Sequence, residues 1–131
     1  MGLVKHIKHA IHVVHSVIRE ALKKRSSKWP KVRKDHLLAN PTCAACAGKK
    51  RMQVHHVDPY HLDPAKELDP TNLISLCMTM HECHLKIGHG SDFRAFNPNS
   101  RHDARLVLAD PTKRAGIEAH AKTVRMYEET K

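Results

Sequence analysis

Cys43-Ala44-Ala45-Cys46-Ala47-Gly48-Lys49-Lys50 and, further on, Cys77-Met78-Thr79-Met80-His81-Glu82-Cys83-His84 carry the chain's strongest structural signal. The chain has four cysteines in its 131 residues, and all four stand here. Two thiolate pairs joined by a loop make the four-sulfur cage of a ribbon-type structural zinc site. After the first pair, the Ala47-Gly48 turn lets backbone N–H groups face the sulfurs, as in a zinc knuckle. Two other uses stay open. A disulfide framework suits an oxidising compartment, and nothing marks this chain as secreted. A thioredoxin-like redox pair suits a βαβ surround, which is not seen around Thr42–Cys46. Cys77 and Cys83 lie further apart than a C-x-x-C pair, so His81 competes for the fourth ligand position, with Cys83 preferred.

Working outward, ten of the thirteen histidines fall into two groups. His6, His9, His12 and His15 step by three, which spirals around a helix and points to solvated side chains rather than a metal site. His55, His56, His61, His81, His84 and His89 crowd around the cysteines. Gln53–Val57 reads as a short strand, on which neighbours point to opposite faces. His55 and His56 therefore share a site only if the strand bends, which Asp58-Pro59 encourages. A helix opening near Glu82 puts His84 and Ile87 on one side, with Gly88 as terminator. His61, before Asp63-Pro64, reads as a substrate contact or a plain surface histidine, with the latter preferred.

His55-His56 with Pro59, then Asp69-Pro70-Thr71-Asn72-Leu73-Ile74-Ser75-Leu76-Cys77, then Cys83-His84, resembles the HNH (ββα-metal) endonucleases, in particular their zinc-ribbon phage and prophage subgroup. The likeness runs from residue 26 to 105, through Ser27–Lys34 on one side and Phe93–Asn99 on the other. One departure is a longer path from Asn72 to His84, with the excess in Met78–Glu82. The resemblance implies an α+β fold: a ββα-metal motif merged with a four-cysteine zinc ribbon, flanked by N- and C-terminal helices. It implies a metal-dependent DNA endonuclease in the cytoplasm of a bacterial or phage-infected cell. His56 is then the general base, and Asn72 braces the loop that aims it. His55 and His84 hold one catalytic cation, Mn²⁺ or Mg²⁺, with His89 as a possible further ligand, beside Zn²⁺ on Cys43, Cys46, Cys77 and Cys83. The chemistry is coherent, because neutral imidazole accepts a proton near pH 7 and a divalent cation offsets phosphate charge. Imidazole ligands also favour Mn²⁺ at least as much as Mg²⁺.

Charge fits a polyanionic partner. Lys and Arg number 23 against 13 Asp and Glu, a formal net charge of +10. Lys28, Lys31, Arg33, Lys34, Lys49, Lys50 and Arg51 stand nearest the motif and suit phosphate contacts, which predicts weak sequence preference and steep salt dependence. No apolar run approaches a membrane span or a signal-peptide core. With one Trp, two Tyr and two Phe, binding built on aromatic stacking is not expected. Over residues 3–25, Val4, Ile7, Ile11, Val14, Ile18 and Leu22 form an apolar stripe on a basic helix. That stripe can pack on the core or on a second copy, or lie on an anionic membrane, or the helix can reach along DNA. Residues 1–25 are thus read as a helical unit, 26–105 as the core and 106–131 as a helical tail. Helices are expected at 101–109 and, beyond Pro111, up to about Glu129. The chain is expected to be a monomer or weak homodimer, and a non-catalytic zinc-ribbon DNA-binding module is the alternative function.

Overall fold

A computed structural model describes residues 7–12, 24–120 and 123–125. At its centre is an antiparallel hairpin of β1 (Met52–His56) and β2 (Leu73–Cys77), in register from Met52↔Cys77 to His56↔Leu73. Every residue of β2 is buried. Alternation on the pleat divides the two hairpin faces. His56 turns to α1 (Trp29–Ala39), where its ring lies 4.6 Å from that of Trp29. His55 turns to the opposite side, against a short helical turn, His84–Gly88. The hairpin and this turn make the ββα unit.

That turn is wound more widely than an α-helix. The His89 amide closes back on the His84 carbonyl at 3.1 Å, five residues earlier. On an α-helix such a pair would diverge by about 140°. The wider π-type winding instead brings the His84 and His89 rings to 4.9 Å. Gly88 closes the turn, and it has to be small: a Cβ there would lie 3.0 Å from two atoms of the His55 ring.

The four cysteines close the other end of the hairpin. Their free sulfurs cluster, with Cys46 and Cys77 Sγ 3.6 Å apart, close to the spacing of about 3.8 Å between sulfurs on one tetrahedral zinc. The separation rules out a disulfide between those two. Ala47 adopts a left-handed φ of 60° to finish the first knuckle, and the Ala44 amide pairs with the Ser75 carbonyl at 2.9 Å. The longer second knuckle bulges outward, with Met80 89% exposed and His81 in solvent. Cys83, not His81, joins the cluster.

α2 (Ser100–Ala109) and α3 (Arg114–His120) cover this core, to which Ala104, Val107 and Ile117 contribute. Fully buried Asn97 fastens the His84–Gly88 turn to α2: its Nδ2 donates to the Ile87 carbonyl at 3.1 Å and to Asp103 Oδ2 at 2.7 Å. The last helix ends at His120 instead of running to Glu129. Val124–Arg125 form β4, paired antiparallel with β3 (Ala95–Phe96). β-Branched Thr123 and Val124 favour a pleated edge over another helical turn. Of the amphipathic N-terminal helix, residues 7–12 are described and helical, with Ile7 and Ile11 half exposed. Val4, Val14, Ile18 and Leu22 lie outside the described residues. No helix among the described residues is long and apolar enough to cross a membrane. The architecture is thus a small α+β fold in which a hairpin and helices adjoin a four-cysteine cluster, consistent with a ββα-metal unit bearing a zinc site.

Candidate metal centre and catalytic cleft

Two histidines face each other with lone pairs. His84 Nδ1–H donates to Gln53 Oε1 at 2.6 Å, and His89 Nδ1–H donates to the Ala95 carbonyl at 2.7 Å. Those bonds fix the tautomers, because an amide or carbonyl oxygen only accepts, and leave both Nε2 atoms as acceptors. The two Nε2 atoms are 3.3 Å apart. Burial, reinforced by the neighbouring histidines, pushes His84 down to about 4; burial also lowers His89, so both rings are neutral at physiological pH. Two facing lone pairs repel unless a cation sits between them. Nitrogens bound to one ion at about 2.0–2.1 Å stand about 2.9 Å apart at a right angle and about 3.4 Å at the tetrahedral angle, which brackets the observed spacing.

His55 completes the set. Its ring, 2% exposed, lies 5.2 Å from His84 and 5.0 Å from His89, and its Nε2 is buried without a hydrogen-bond partner. Burial first, then the adjacent imidazoles, holds its pKa well below the ordinary value. One ligand atom from each of the three lies within 4.8 Å of the others. A divalent cation fits this donor set, since it would satisfy the orphaned His55 nitrogen and the facing pair together.

His56 lies on the other face of β1 but lines the same cleft, of about 270 Å³, as His55, His84 and His89. The β1–β2 ladder stays in register through both histidines, and the cleft at the strand end is lined by both. His56 Nε2–H donates to the Glu67 carbonyl at 2.9 Å, which leaves Nδ1 as its basic atom. Burial lowers its pKa, with the Glu67 carbonyl opposing. Asn72 ties the loop that carries Glu67: Oδ1 accepts from the Asp58 amide at 2.8 Å, and Nδ2 donates to the carbonyls of Asp58 at 3.0 Å and Lys66 at 3.1 Å. Exposed His61, stacked 4.1 Å from Tyr60, forms part of the rim.

In the cysteine cluster, backbone amides of Ala45 and Cys46 point at Cys43, that of Gly48 at Cys46, and those of Cys83 and Thr79 at Cys77. A hydrogen bond from the Cys83 thiol pulls Cys43 down to about 4, while burial pushes Cys46 up to about 11. The amide donors favour thiolates, the form in which all four sulfurs would bind zinc. Arg114 of α3 adds a donor at 3.1 Å from Cys83 Sγ and pairs with Glu118 at 3.1 Å.

Arg114, Gln53 and an aromatic rim of Tyr60 and Phe93, with Trp29 packed behind it on His56, are functional candidates that the sequence did not single out. The Phe93 ring is half exposed and lies 4.9 Å from His89. Gln53 sits two residues before His55, which was the available signal; Arg114 lies in the tail, where no motif points to it. The basic candidates Lys28, Lys31, Arg33 and Lys34 are exposed along α1, Lys31 bonded to Asp35 at 2.6 Å, and Lys49, Lys50 and Arg51 are exposed before β1.

Residues 43–90 match a protein family described as HNH endonuclease, a span that contains the four cysteines, His55, His56, Asn72, His84 and His89. No curated protein and no solved structure matches the chain.

Proposed function

We propose, from the match of residues 43–90 to the HNH endonuclease family, a hydrolase of phosphodiester bonds: a DNA endonuclease that works with one divalent cation and nicks with little sequence preference. The observation that carries this reading is the convergence of three imidazole donors beside a fourth imidazole whose basic nitrogen is set by its bond to the Glu67 carbonyl. His55, His84 and His89 would hold the cation, Mn²⁺ serving at least as well as Mg²⁺. When bound, it supplies Lewis-acid stabilisation of the charged phosphate and the departing oxygen. His56 Nδ1 accepts the proton of the attacking water as that oxygen bonds to phosphorus. The P–O3′ bond breaks, and the 3′ oxygen leaves with a proton from solvent. Asn72 positions His56 through the loop that presents Glu67 O. Zn²⁺ on the four cysteines holds the frame.

The basic side chains of α1 and of residues 49–51 suit the phosphate backbone, and no element among the described residues is shaped to read base edges. One site per chain cuts one strand per encounter; a homodimer would be needed for paired cuts. The likeness to the phage and prophage subgroup supports a bacterial or phage-infected cytoplasm as its setting. The test is supercoiled plasmid with Mn²⁺, Mg²⁺ or EDTA, wild type beside His56→Ala. Nicking by wild type with either cation, lost in EDTA and reduced about 10²–10⁴-fold in His56→Ala with DNA binding kept, is expected. Equal plasmid conversion by both proteins would favour a zinc-ribbon DNA-binding module without catalysis.

A further inference from the structure

Arg25 stands in the cleft wall, outside both metal clusters and outside the basic stretch expected to meet DNA. Its guanidinium carbon lies 4.4 Å from the Tyr60 ring centroid and 5.1 Å from that of Trp29. Trp29 in turn packs against His56 at 4.6 Å. A guanidinium held by aromatic faces is oriented without using the N–H donors on its rim. Among the described residues the closest carboxylate contact is Glu67 Oε1 at 4.0 Å, too long for a hydrogen bond, and that side chain is itself anchored by the Ser26 amide at 3.2 Å. The Arg25 side chain remains 42% exposed. A cation with a fixed plane therefore faces the space bounded by His55, His56, His84 and His89.

We propose that Arg25 is a phosphate clamp for the scissile group, donating from its fork to the non-bridging oxygens and stabilising the charge they gain as water attacks. The assignment rests on the nuclease reading. Arg25 makes and breaks no covalent bond; it holds the phosphate between His56 and the three-histidine cluster. The planar fork matches phosphate oxygens in pairs, which an ammonium group does not. Trp29 and Tyr60 are positioning residues for it.

The experiment measures single-turnover cleavage of a duplex DNA with Mn²⁺ by wild type, Arg25→Ala, Arg25→Lys and His56→Ala, with and without millimolar guanidinium ion. Removing one preorganised donor to developing charge lowers rates about 10²–10³-fold. Arg25→Ala should fall by that factor while its DNA affinity in EDTA stays within about threefold, because the basic residues of α1 remain. Arg25→Lys should recover only part of the rate. Added guanidinium ion should lift Arg25→Ala at least about tenfold and leave His56→Ala unchanged, which a purely structural role for Arg25 would not produce. A rate within threefold of wild type, or a loss that guanidinium ion does not lift, overturns the clamp. Inactive wild type overturns the nuclease reading and the clamp with it, whereas active wild type beside an unimpaired Arg25→Ala overturns the clamp alone.

Discussion

Gly88→Ala tests the packing that holds the metal centre together. The added Cβ would sit 3.0 Å from His55 Cε1 and Nδ1 and 3.2 Å from Leu76 Cδ1, where ordinary contacts begin at 3.4 Å. The backbone at Gly88 is not left-handed, so alanine is conformationally acceptable and, on chain entropy alone, stabilises by about 0.4–1 kcal/mol. Against this stands overpacking of a filled core, which costs about 1–3 kcal/mol. The His55 ring and Leu76 are both fully buried, so the ring has little room except by turning out of line with His84 and His89. Overpacking wins. The net loss is about 1–2 kcal/mol, or a Tm lower by roughly 5–10 °C in a domain of this size. Displacing a ligand ring should also weaken Mn²⁺ binding by about 10–100-fold. Calorimetric melting and isothermal titration read the two effects. Gly116→Ala is the control, because a Cβ there meets nothing within 4 Å and should be neutral or mildly stabilising. A Gly88→Ala protein with unchanged Tm and a Mn²⁺ Kd within twofold of wild type would refute the close approach of Gly88 to His55.

Acid should unravel the site for a related reason. Burial lowers the pKa values of His55, His84 and His89, with His84 near 4, while in the unfolded chain each titrates near 6.5. The native state therefore binds fewer protons than the unfolded one, and the stability present above pH 6.5 is lost as pH falls toward the folded values. The urea midpoint of protein freed of the exchangeable cation should drop between pH 7 and 4, and a rising midpoint would contradict the assignment. Arg114→Ala should speed loss of zinc to a chromogenic chelator by about 10–100-fold, since the Cys83 sulfur loses its 3.1 Å donor; unchanged release would show that the donor is dispensable.

Much of this was legible in the chain because cysteine and histidine carry their chemistry in their type and spacing. The thiol quartet, the His55-His56 pair and the strand that carries it follow from local pattern, whereas Leu73–Cys77 as its partner strand came only with the family resemblance. His89 was harder to weigh, since regular helix geometry turns it away from His84; only the wider winding of residues 84–88 unites them. His55 and His56 looked incompatible on a straight strand, yet a cleft at a strand end is open to both faces. Scarcity of aromatic residues suggested that they do little for nucleic-acid chemistry. Composition gives their number, not their address, and Trp29, Tyr60 and Phe93 gather at the cleft through contacts between distant segments. Arg25 and Arg114 were hidden for the same reason. Charge counting finds arginines, but only tertiary packing gives one a pair of aromatic faces and the other a sulfur.

Cys83 and His84 are consecutive, yet one belongs to the thiol quartet and the other to the imidazole trio. On the proposed reading, a single peptide link joins a thiolate anchorage for zinc to an imidazole site for an exchangeable cation. Closing the sulfur cage would then hold His84 at its post, and stripping the thiolate-bound ion would cost the neighbouring imidazole site its alignment as well.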